Sequence, residues 1–558
     1  MIKYISLFAV ISVCYANSFS QTYASQGMVV SDNSEASKVG IEILKKGGNA
    51  IDASIATAFA LAVTHPQAGN IGGGGFMVYM DDSSRVTTID FREMAPIKAS
   101  PTMFLDENGE LIKGSNHNGA LSVGVPGTVA GLYLAHQKYG ELPWKDLVQP
   151  AIDMANNGVA LSYALASHAN KIHNSDNPEF LKSLYLDSLG VPLKFGSIWK
   201  QPALANTLEL IRDNGRDGFY KGSVADEIER YMSENGGIIT KDDLLQYKAI
   251  EREPMKGTYK GYDIFSMAPP SSGGVAMIEM LNIMEQANLE DMPFNSTEYV
   301  HLTAEVMRRA FADRAEYLGD PDYNLDMPLD KLTSKEFAKN RLTNIDMEKA
   351  SVSDSSLFGQ IYDGTNTTHF SVIDKDGKAV SVTYTLEQSY GSGMGSKSLG
   401  FIFNNEMGDF NPRPGYTNSG WLIGTDPNLI EPKKRMLSSM TPTIIAEDGK
   451  PVLVIGSPGG RTIINTVFQT VLCFLEYNMP IGESIEAMKI HHQWLPNKLF
   501  YEENKLSPDT IEALKLMGHD LQGRKYLGRL MGISINKENG VYVGASDSAS
   551  PDGGAIGY

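Results

Sequence analysis

Apolar and polar residues follow two different periods along this chain, one helical and one typical of strands. Apolar residues recur at helical spacing in 33–48 and 50–65, and the second segment is apolar enough to predict a buried core helix. Helical spacing prevails from about 125 to 340. Beyond residue 366 the alternation is that of strands, with hairpins predicted around Asp376–Gly377 and Asp448–Gly449.

Two glycine-rich segments and one polar segment interrupt these patterns. Four glycines at 72–75 precede a predicted strand, which favours close backbone packing or a ligand-facing loop. A dinucleotide fingerprint is excluded there, because it requires a strand before the glycines and a helix after them. The segment GSPGGR at 456–461 follows a predicted strand and enters an apolar helix, so its backbone N–H groups can converge on an anion. Residues 345–366 are polar and aperiodic, as in an exposed connection that is open to cleavage.

The composition of the chain argues against a nucleic-acid-binding protein and against a disordered one. Of the 558 residues, 48 are Lys or Arg and 66 are Asp or Glu, which gives a formal charge of -18. With that charge and no basic cluster, we predict no nucleic-acid partner. The hydrophobic fraction of 42% is that of a folded globular protein rather than a disordered one.

The N-terminus has the layout of a signal peptide. Lys3 is followed by an apolar run over 4–16, and small residues follow, so 1–20 is predicted to be removed by cleavage between 16 and 25. The run is shorter than the roughly 20 residues that span a bilayer, so we predict no stable membrane span and a periplasmic or secreted location. Lipidation at Cys14 is the minor alternative. After cleavage Cys473 is the only cysteine, and its apolar surroundings predict a buried structural thiol.

Eleven motifs, in their order and spacing, give the chain a family resemblance from about residue 25 to Tyr558. The chain resembles the γ-glutamyltranspeptidases, which are N-terminal-nucleophile hydrolases. The resemblance implies an α+β fold, a four-layer αββα sandwich built jointly by a large subunit (25–366) and a small catalytic subunit (367–558). The motifs are HPQAGNIGGGGFM, DFRE, GVPGTVAG, DRAEYLGDPD, TNTTHFSV, VTYTLEQSYGSG, NNEMGDF, KKRMLSSMTPT, GSPGG, HHQWLP and GASD.

The resemblance places the chemistry on Thr367. A threonine hydroxyl is a weak nucleophile without an adjacent base, and a threonine at a chain terminus has its own α-amine as that base, with a pKa of about 8. The implied cleavage site is therefore Asn366–Thr367. Thr385 matches the threonine that positions the nucleophile, and Gly459 and Gly460 match the oxyanion donors. The alternative reading of Thr367 is that it merely begins a strand.

The resemblance also implies a pocket for a γ-glutamyl donor. A guanidinium and two hydroxyls would bind the donor's α-carboxylate, and carboxylates would bind its α-ammonium. The matching residues are Arg92, Ser438 and Ser439 for the carboxylate, and Glu406 and Asp409 for the ammonium. Glu387 stands where many members have Asn, and it would add a third carboxylate near the ammonium. Residues 411–432 have the length of a lid loop, with Trp421 as the hypothetical gate.

These matches predict an autocatalytically processed enzyme that transfers the γ-glutamyl group of glutathione and related compounds. The acceptors would be water, amino acids or dipeptides. No cofactor and no metal are predicted, since His369, His491 and His492 lack zinc-site spacing. Two alternatives remain: a related acylase acting on glutaryl-cephalosporin or poly-γ-glutamate, and an unprocessed binding protein of the cell envelope.

Overall fold

A computed structural model describes residues 21–187, 189–353, 367–417 and 423–558 of the chain. The predicted signal segment, Asn366 and Trp421 lie outside these ranges. The strands are β1 Gln21–Ala24, β2 Met28–Ser31, β3 Gly74–Met80, β4 Val86–Phe91, β5 Val159–Ala160, β6 Ile198–Trp199, β7 Ile250–Arg252, β8 Met255–Tyr259, β9 Tyr262–Ser266, β10 Thr367–Ile373, β11 Ala379–Thr385, β12 Thr443–Glu447, β13 Lys450–Gly456, β14 Ile490–His491, β15 Leu499–Glu502, β16 Leu521–Arg524, β17 Met531–Ile535, β18 Tyr542–Ser546 and β19 Gly554–Gly557.

The helices lie mostly between β4 and β10 in sequence. They are α1 Ser34–Lys45, α2 Ala50–Thr64, α3 Thr128–Tyr139, α4 Trp144–Asn157, α5 Tyr163–His173, α6 Glu179–Ser183, α7 Pro202–Asn214, α8 Asp217–Tyr220, α9 Gly222–Glu234, α10 Lys241–Gln246, α11 Gly273–Gln286, α12 Thr297–Tyr317, α13 Leu329–Leu332, α14 Lys335–Thr343, α15 Thr462–Leu475, α16 Ile481–Glu486 and α17 Pro508–Leu516. None of the helices in the described ranges is long and apolar enough to cross a membrane.

Two seven-stranded antiparallel sheets form the centre of the molecule. One has the order β1-β18-β17-β13-β12-β9-β8, and the other has the order β19-β2-β10-β11-β3-β4-β7. Each sheet therefore combines strands from both sides of residue 367. Apolar side chains such as Val78, Ile373 and Val454 fill the space between the sheets. This interleaving means that the two parts of the chain share one core.

Helices cover the outer face of each sheet. The buried helix α2, predicted from its apolar sequence, packs on β10 and β11. On the other sheet, α11 and α15 pack against β8, β9 and β13. The alternation along β10 explains this, because Phe370 and Val372 join the core beneath α2 while Ile373 joins the core between the sheets. The α+β prediction is confirmed.

The predicted helix starts and hairpins are present. Asn33 caps α1, its side chain accepting from the backbone N–H groups of Glu35 and Ala36. Asp448 and Gly449 form the two-residue turn between β12 and β13, with φ of 50° and 74°, the left-handed conformation that such a turn requires. The mainly helical reading of 125–340 was incomplete, since β7, β8 and β9 lie in it and join the edges of the two sheets.

The glycine run at 72–75 serves close backbone packing. A Cβ on Gly73 would lie 1.9 Å from the carbonyl oxygen of Thr385, and one on Gly75 would lie 2.4 Å from the carbonyl oxygen of Thr383. Since β3 pairs with β11 in this region, only glycine lets β3 pass so close to the end of β11. The run therefore fixes the strand that ends at Thr385.

Candidate functional site

One cavity of about 480 Å³ contains all ten described residues to which the sequence assigned a catalytic or donor-binding role. They are Arg92, Thr367, Thr385, Glu387, Glu406, Asp409, Ser438, Ser439, Gly459 and Gly460. These residues come from both parts of the chain and are separated by up to several hundred positions in sequence. The volume is in the range of small-molecule sites. The fold thus brings the predicted groups to one place, and their roles remain predictions.

Thr367 begins β10 directly beside the end of β11. Thr367 and Thr385 are register partners, and the hydroxyl of Thr367 lies 3.4 Å from that of Thr385. Thr385 Oγ1 also accepts the backbone N–H of Glu387 at 2.8 Å. Thr385 therefore connects the hydroxyl of Thr367 to the backbone that carries Glu387. Both threonines are buried, so the pair is fixed by its surroundings.

The residue after Thr367 is anchored on the opposite face of the strand. The hydroxyl of Thr368 donates to Asp32 Oδ2 at 2.9 Å, and Ser550 donates to Asp32 Oδ1 at 2.7 Å. Asp32 follows β2, while Ser550 lies near the C-terminus. Successive side chains of a strand point to opposite faces, so this anchor holds β10 without occupying the cavity.

The glycine turn between β13 and α15 lies in the segment for which the sequence predicts an anion site. Gly459 and Gly460 have φ of 143° and 58°, and a Cβ on Gly459 would lie 2.5 Å from Thr462 Oγ1. The turn leads into the N-terminal end of α15, where backbone N–H groups point away from the helix. The prediction of a strand, a glycine turn and an apolar helix is confirmed for this segment.

Arg92 is held by the motif in which it lies. Its backbone N–H donates to Asp90 Oδ1 at 2.9 Å, and Asp90 Oδ2 forms ion pairs with Arg252 at 2.8 Å and Arg435 at 3.3 Å. Arg435 belongs to the KKRMLSSMTPT motif. The buried carboxylate of Asp90 therefore ties the end of β4 to the segment that carries the two serines.

Arg92 contacts both carboxylates that were predicted to bind the opposite end of the donor. Its Nη1 lies 2.5 Å from Glu406 Oε2, and its Nη2 lies 2.5 Å from Asp409 Oδ2. Burial raises the pKa of Glu406 well above its ordinary value, although Arg92 opposes this. The contact between Arg92 and Glu406 is an ion pair whose angles do not meet those of a hydrogen bond. Within the described ranges neither carboxyl oxygen of Glu406 accepts a hydrogen bond. Glu406 can therefore accept N–H groups from a ligand.

The two serines lie on a loop that is hydrogen-bonded to the start of α11. The carbonyl of Ser438 accepts from the backbone N–H and the hydroxyl of Ser272, at 2.8 and 2.6 Å. Ser438 Oγ accepts the backbone N–H of Met440 at 3.1 Å, and Ser439 Oγ accepts from Arg314 at 3.2 Å. Both hydroxyl oxygens thus act as acceptors within the protein, which leaves each proton for another acceptor.

His117 is a cavity residue that sequence reasoning missed. Its Nδ1 lies 3.4 Å from Glu387 Oε2, and its carbonyl accepts from the side chain of Asn405 at 3.0 Å. Burial opposes the charge on His117, but the carboxylate of Glu387 outweighs burial and raises the pKa of His117. Burial also raises the pKa of Glu387, against the effect of His117. No motif or periodicity marks His117, since the contact joins positions 270 residues apart.

The described parts of 411–432 border the cavity, as a lid would. Arg413, Tyr416 and Ile423 line it. Arg413 forms a two-pronged ion pair with Glu110, at 2.6 and 2.7 Å, and its guanidinium lies 4.1 Å from the ring centre of Tyr416. These contacts hold one side of the loop beside the cavity. Trp421, the hypothetical gate, lies outside the described residues, so that hypothesis stays a prediction.

The three histidines considered for a metal make protein hydrogen bonds. His369 contacts the hydroxyls of Thr383 and Ser371 at 2.8 and 3.0 Å, and burial lowers its pKa to about 3. His491 contacts Asn465 and Gln493, and burial lowers its pKa to about 4. The described part of the chain contains no group of three or more His, Cys, Asp or Glu residues arranged to hold a metal ion.

Comparisons with known proteins identify the family of the chain. A family model described as gamma-glutamyltranspeptidase matches residues 36–557. The glutathione hydrolase proenzyme of Escherichia coli (strain K12) is 45% identical over 545 residues, covering 97% of this chain and 93% of that protein.

Two solved structures extend the comparison to the fold. The gamma-glutamyltranspeptidase of Helicobacter pylori matches with a TM-score of 0.54 at 43% identity, over 57% of this chain and 90% of that one. A cephalosporin acylase from Bacillus halodurans matches with a TM-score of 0.84 over 99% of both chains, and its identity of 24% shows a shared fold alone. The resemblance found in the sequence is confirmed: this chain belongs to the gamma-glutamyltranspeptidase family.

Proposed function

We propose that the chain is a proenzyme that cleaves its own Asn366–Thr367 bond and then transfers γ-glutamyl groups from glutathione-like donors. The observation that carries the proposal is the cavity, in which Thr367, its partner Thr385 and the glycine turn lie beside a guanidinium, two serines and a set of carboxylates. These groups match the reacting carbonyl and both charged ends of a γ-glutamyl compound. The E. coli relative carries the name glutathione hydrolase proenzyme.

The proposed cleavage uses the hydroxyl of Thr367 as nucleophile. Its oxygen attacks the carbonyl carbon of Asn366, the C–N bond breaks as the peptide nitrogen takes a proton, and an ester links Asn366 to the threonine oxygen. Water hydrolyses that ester and regenerates the hydroxyl. The products are a large fragment that ends at Asn366 and a small fragment of residues 367–558 whose first residue carries a free α-amine.

In the proposed transfer, that amine takes the proton from the hydroxyl of Thr367 as the oxygen attacks the γ-carbonyl of the donor. The N–H groups of Gly459 and Gly460 would stabilise the negative charge on the carbonyl oxygen. The leaving amine receives the proton, and the γ-glutamyl group remains as an ester on Thr367. Water, an amino acid or a dipeptide then takes the acyl group, which restores the hydroxyl.

Donor recognition would use both charged sets in the cavity. The hydroxyls of Ser438 and Ser439, with Arg92, would bind the α-carboxylate. Glu406, Asp409 and Glu387 would surround the α-ammonium, whose N–H groups would supply the donors that Glu406 lacks within the described residues. An ammonium ion in contact with Glu406 would also favour its ionised form.

The remaining assignments belong to the same proposal. The architecture would be the four-layer αββα sandwich of the N-terminal-nucleophile hydrolases, with 25–366 and 367–558 as the subunits of a heterodimer. Residues 1–20 would direct export, which places the enzyme in the periplasm or outside the cell. The interleaving of strands from both sides of residue 367 supports a dimer that stays together after cleavage.

A denaturing gel of the purified protein tests the processing step. The native chain should give two fragments, and Thr367→Ala should give one full-length band because the nucleophile is gone. Thr368→Ser is the matched control, since it keeps the hydroxyl that binds Asp32 on the other face of β10 and should leave processing intact. One persistent band from the native chain would favour the unprocessed binding protein. Cleavage in Thr367→Ala would contradict the role of Thr367.

Donor specificity needs its own assay, because the chain shares its fold with a cephalosporin acylase. Release of the aniline from a γ-glutamyl anilide should be faster than release from a glutaryl anilide, which lacks the α-ammonium. A higher kcat/KM for the glutaryl compound would replace the γ-glutamyl assignment by that of an acylase.

A further inference from the structure

We propose that Arg314, a buried arginine of α12, is a positioning residue that orients Ser438 and Ser439 toward the α-carboxylate of the donor and adds positive charge behind them. The inference rests on the proposed γ-glutamyl specificity and deepens it. Arg314 belongs to the DRAEYLGDPD motif, which had no role in the site as the sequence predicted it.

The cluster of Arg92 with the carboxyl groups of Glu93, Glu406 and Asp409, here called the Arg92 cluster, provides little net positive charge. Glu406 and Asp409 each lie 2.5 Å from the Arg92 guanidinium, and Glu93 lies 3.4 Å from it. Burial raises the pKa of Glu93 to about 8 against the effect of Arg92, so Glu93 is largely neutral near pH 7. Asp409 alone would still balance the charge of Arg92. A carboxylate that binds Arg92 therefore gains little from the net charge of this cluster, and a second cation nearby would strengthen its binding.

Arg314, by contrast, carries a positive charge without a carboxylate beside it in the described part of the chain. Only 9% of its surface is exposed, and no ion pair within 4 Å joins it to any carboxylate of the described chain. Burial lowers the pKa of Arg314 to about 9, and Arg461 and Arg92 act in the same direction while Asp409 opposes them. An uncompensated buried cation is costly to maintain, so an anion bound at the neighbouring serines would stabilise it.

Both hydrogen bonds of the Arg314 guanidinium lead to the serine pair. Its Nη2 donates to Ser439 Oγ at 3.2 Å, and its Nε donates to Ser272 Oγ at 2.8 Å. Ser272 in turn donates from its hydroxyl to the carbonyl of Ser438 at 2.6 Å. Arg314 thus fixes one serine directly and the other through Ser272.

These contacts also set the direction of the serine protons. A hydroxyl that accepts an N–H group can give its single proton only to another acceptor. Because Arg314 donates to Ser439 Oγ, the Ser439 proton is free to point into the cavity that Ser439 lines. A hydroxyl polarised by a guanidinium is a stronger donor. Arg314 therefore prepares the serine pair to bind, together with Arg92, the α-carboxylate of the donor.

The test compares two donors that differ only in the α-carboxylate: γ-glutamyl anilide, and 4-aminobutanoyl anilide, which lacks that group. Arg314→Met should lower kcat/KM for the γ-glutamyl anilide by about 10- to 100-fold, mainly through KM, because a bond to a charged group is lost. For 4-aminobutanoyl anilide the loss should stay below about 3-fold. Arg314→Lys, which keeps the charge, should recover part of the loss.

Two controls separate positioning from a general structural effect. Arg309→Met removes another guanidinium of α12, one that pairs with Glu305 instead of the serines, and should affect both donors equally. If the native protein releases the 4-aminobutanoyl group too slowly to measure, the inhibition constant of that compound against the γ-glutamyl anilide replaces kcat/KM.

Equal losses for both donors in Arg314→Met would overturn the proposal, as would an unchanged KM for the γ-glutamyl anilide. Failure of both Arg314 variants to yield two fragments would also overturn it, because the role of Arg314 would then be structural. A native protein that does not release γ-glutamyl groups would instead contradict the proposed function, so the two failures are distinguishable.

Discussion

Replacing Thr385 by valine tests how the nucleophile is held, because valine keeps the shape and removes only the hydroxyl. Thr385→Val removes two contacts on which the prediction depends. One is the 3.4 Å contact with Thr367 Oγ1, and the other is the 2.8 Å bond from the backbone N–H of Glu387. Loss of the first affects the reaction rates, because it involves the reacting oxygen. Loss of the second affects KM and stability, because it changes the placement of Glu387 in the donor pocket.

The magnitude follows from the geometry. A neutral hydrogen bond contributes about 0.5–1.5 kcal/mol, and about 1.4 kcal/mol corresponds to a tenfold change in rate. Loss of the contact with Thr367 should therefore slow fragment formation and acyl transfer by about 3- to 10-fold. The buried N–H of Glu387 would lose its acceptor, which costs about 1–3 kcal/mol of stability. KM should rise for γ-glutamyl anilide more than for glutaryl anilide, because Glu387 would serve the ammonium.

The assay follows fragment formation on denaturing gels and aniline release from both donors. Thr385→Ser is the matched control, because it keeps the hydroxyl and removes one methyl group, and it should process at nearly the native rate. The reasoning is refuted if Thr385→Val matches the native rates. It is equally refuted if Thr385→Ser is as slow as Thr385→Val.

Three further predictions concern the surroundings of the site. Gly459→Ala should lower kcat by about 100-fold, because the Cβ would lie 2.5 Å from Thr462 Oγ1 at a φ of 143°; a kcat within twofold of native would contradict this. His369 has a pKa of about 3 in the folded chain and of about 6.5 when unfolded, so the unfolded chain binds the extra proton and stability falls as the pH drops through 6.5. Between pH 6.5 and 4, the free energy of unfolding of His369→Gln, measured by urea denaturation, should thus change less steeply with pH than that of the native protein. The difference in slope should correspond to about one proton, and equal slopes for the two proteins would refute the prediction. Burial raises the pKa of the Cys473 thiol to about 11, so in protein lacking residues 1–20 a thiol reagent at pH 8 should label Cys473 only after denaturation; full labelling of the folded protein would be the contrary result.

Local features of the fold could be predicted because their causes are local. Asn33 caps a helix through its own side chain, and the turn at Asp448–Gly449 needs residues that tolerate positive φ. The hairpin of β8 and β9 was missed although it carries a similar signal. Its turn residues Lys260 and Gly261 have φ of 44° and 89°, but the helical spacing on both sides obscured them.

The site could be predicted as a set of residues but not as a set of contacts. Motifs identified Arg92, Glu406 and Asp409, yet assigned them to opposite ends of the donor. The structure places them against one another. The contact of His117 with Glu387 and that of Arg314 with Ser439 join residues more than a hundred positions apart. Such contacts depend on how the two sheets and their helices pack, which no local pattern records.

The central claim is that one peptide bond is broken to make the catalyst, and the masses of the fragments test it most directly. Mass spectrometry of the purified, catalytically active protein should show a fragment that begins at Thr367 and ends at Tyr558, together with a fragment that ends at Asn366. An active protein in which the bond between Asn366 and Thr367 is intact would contradict the account.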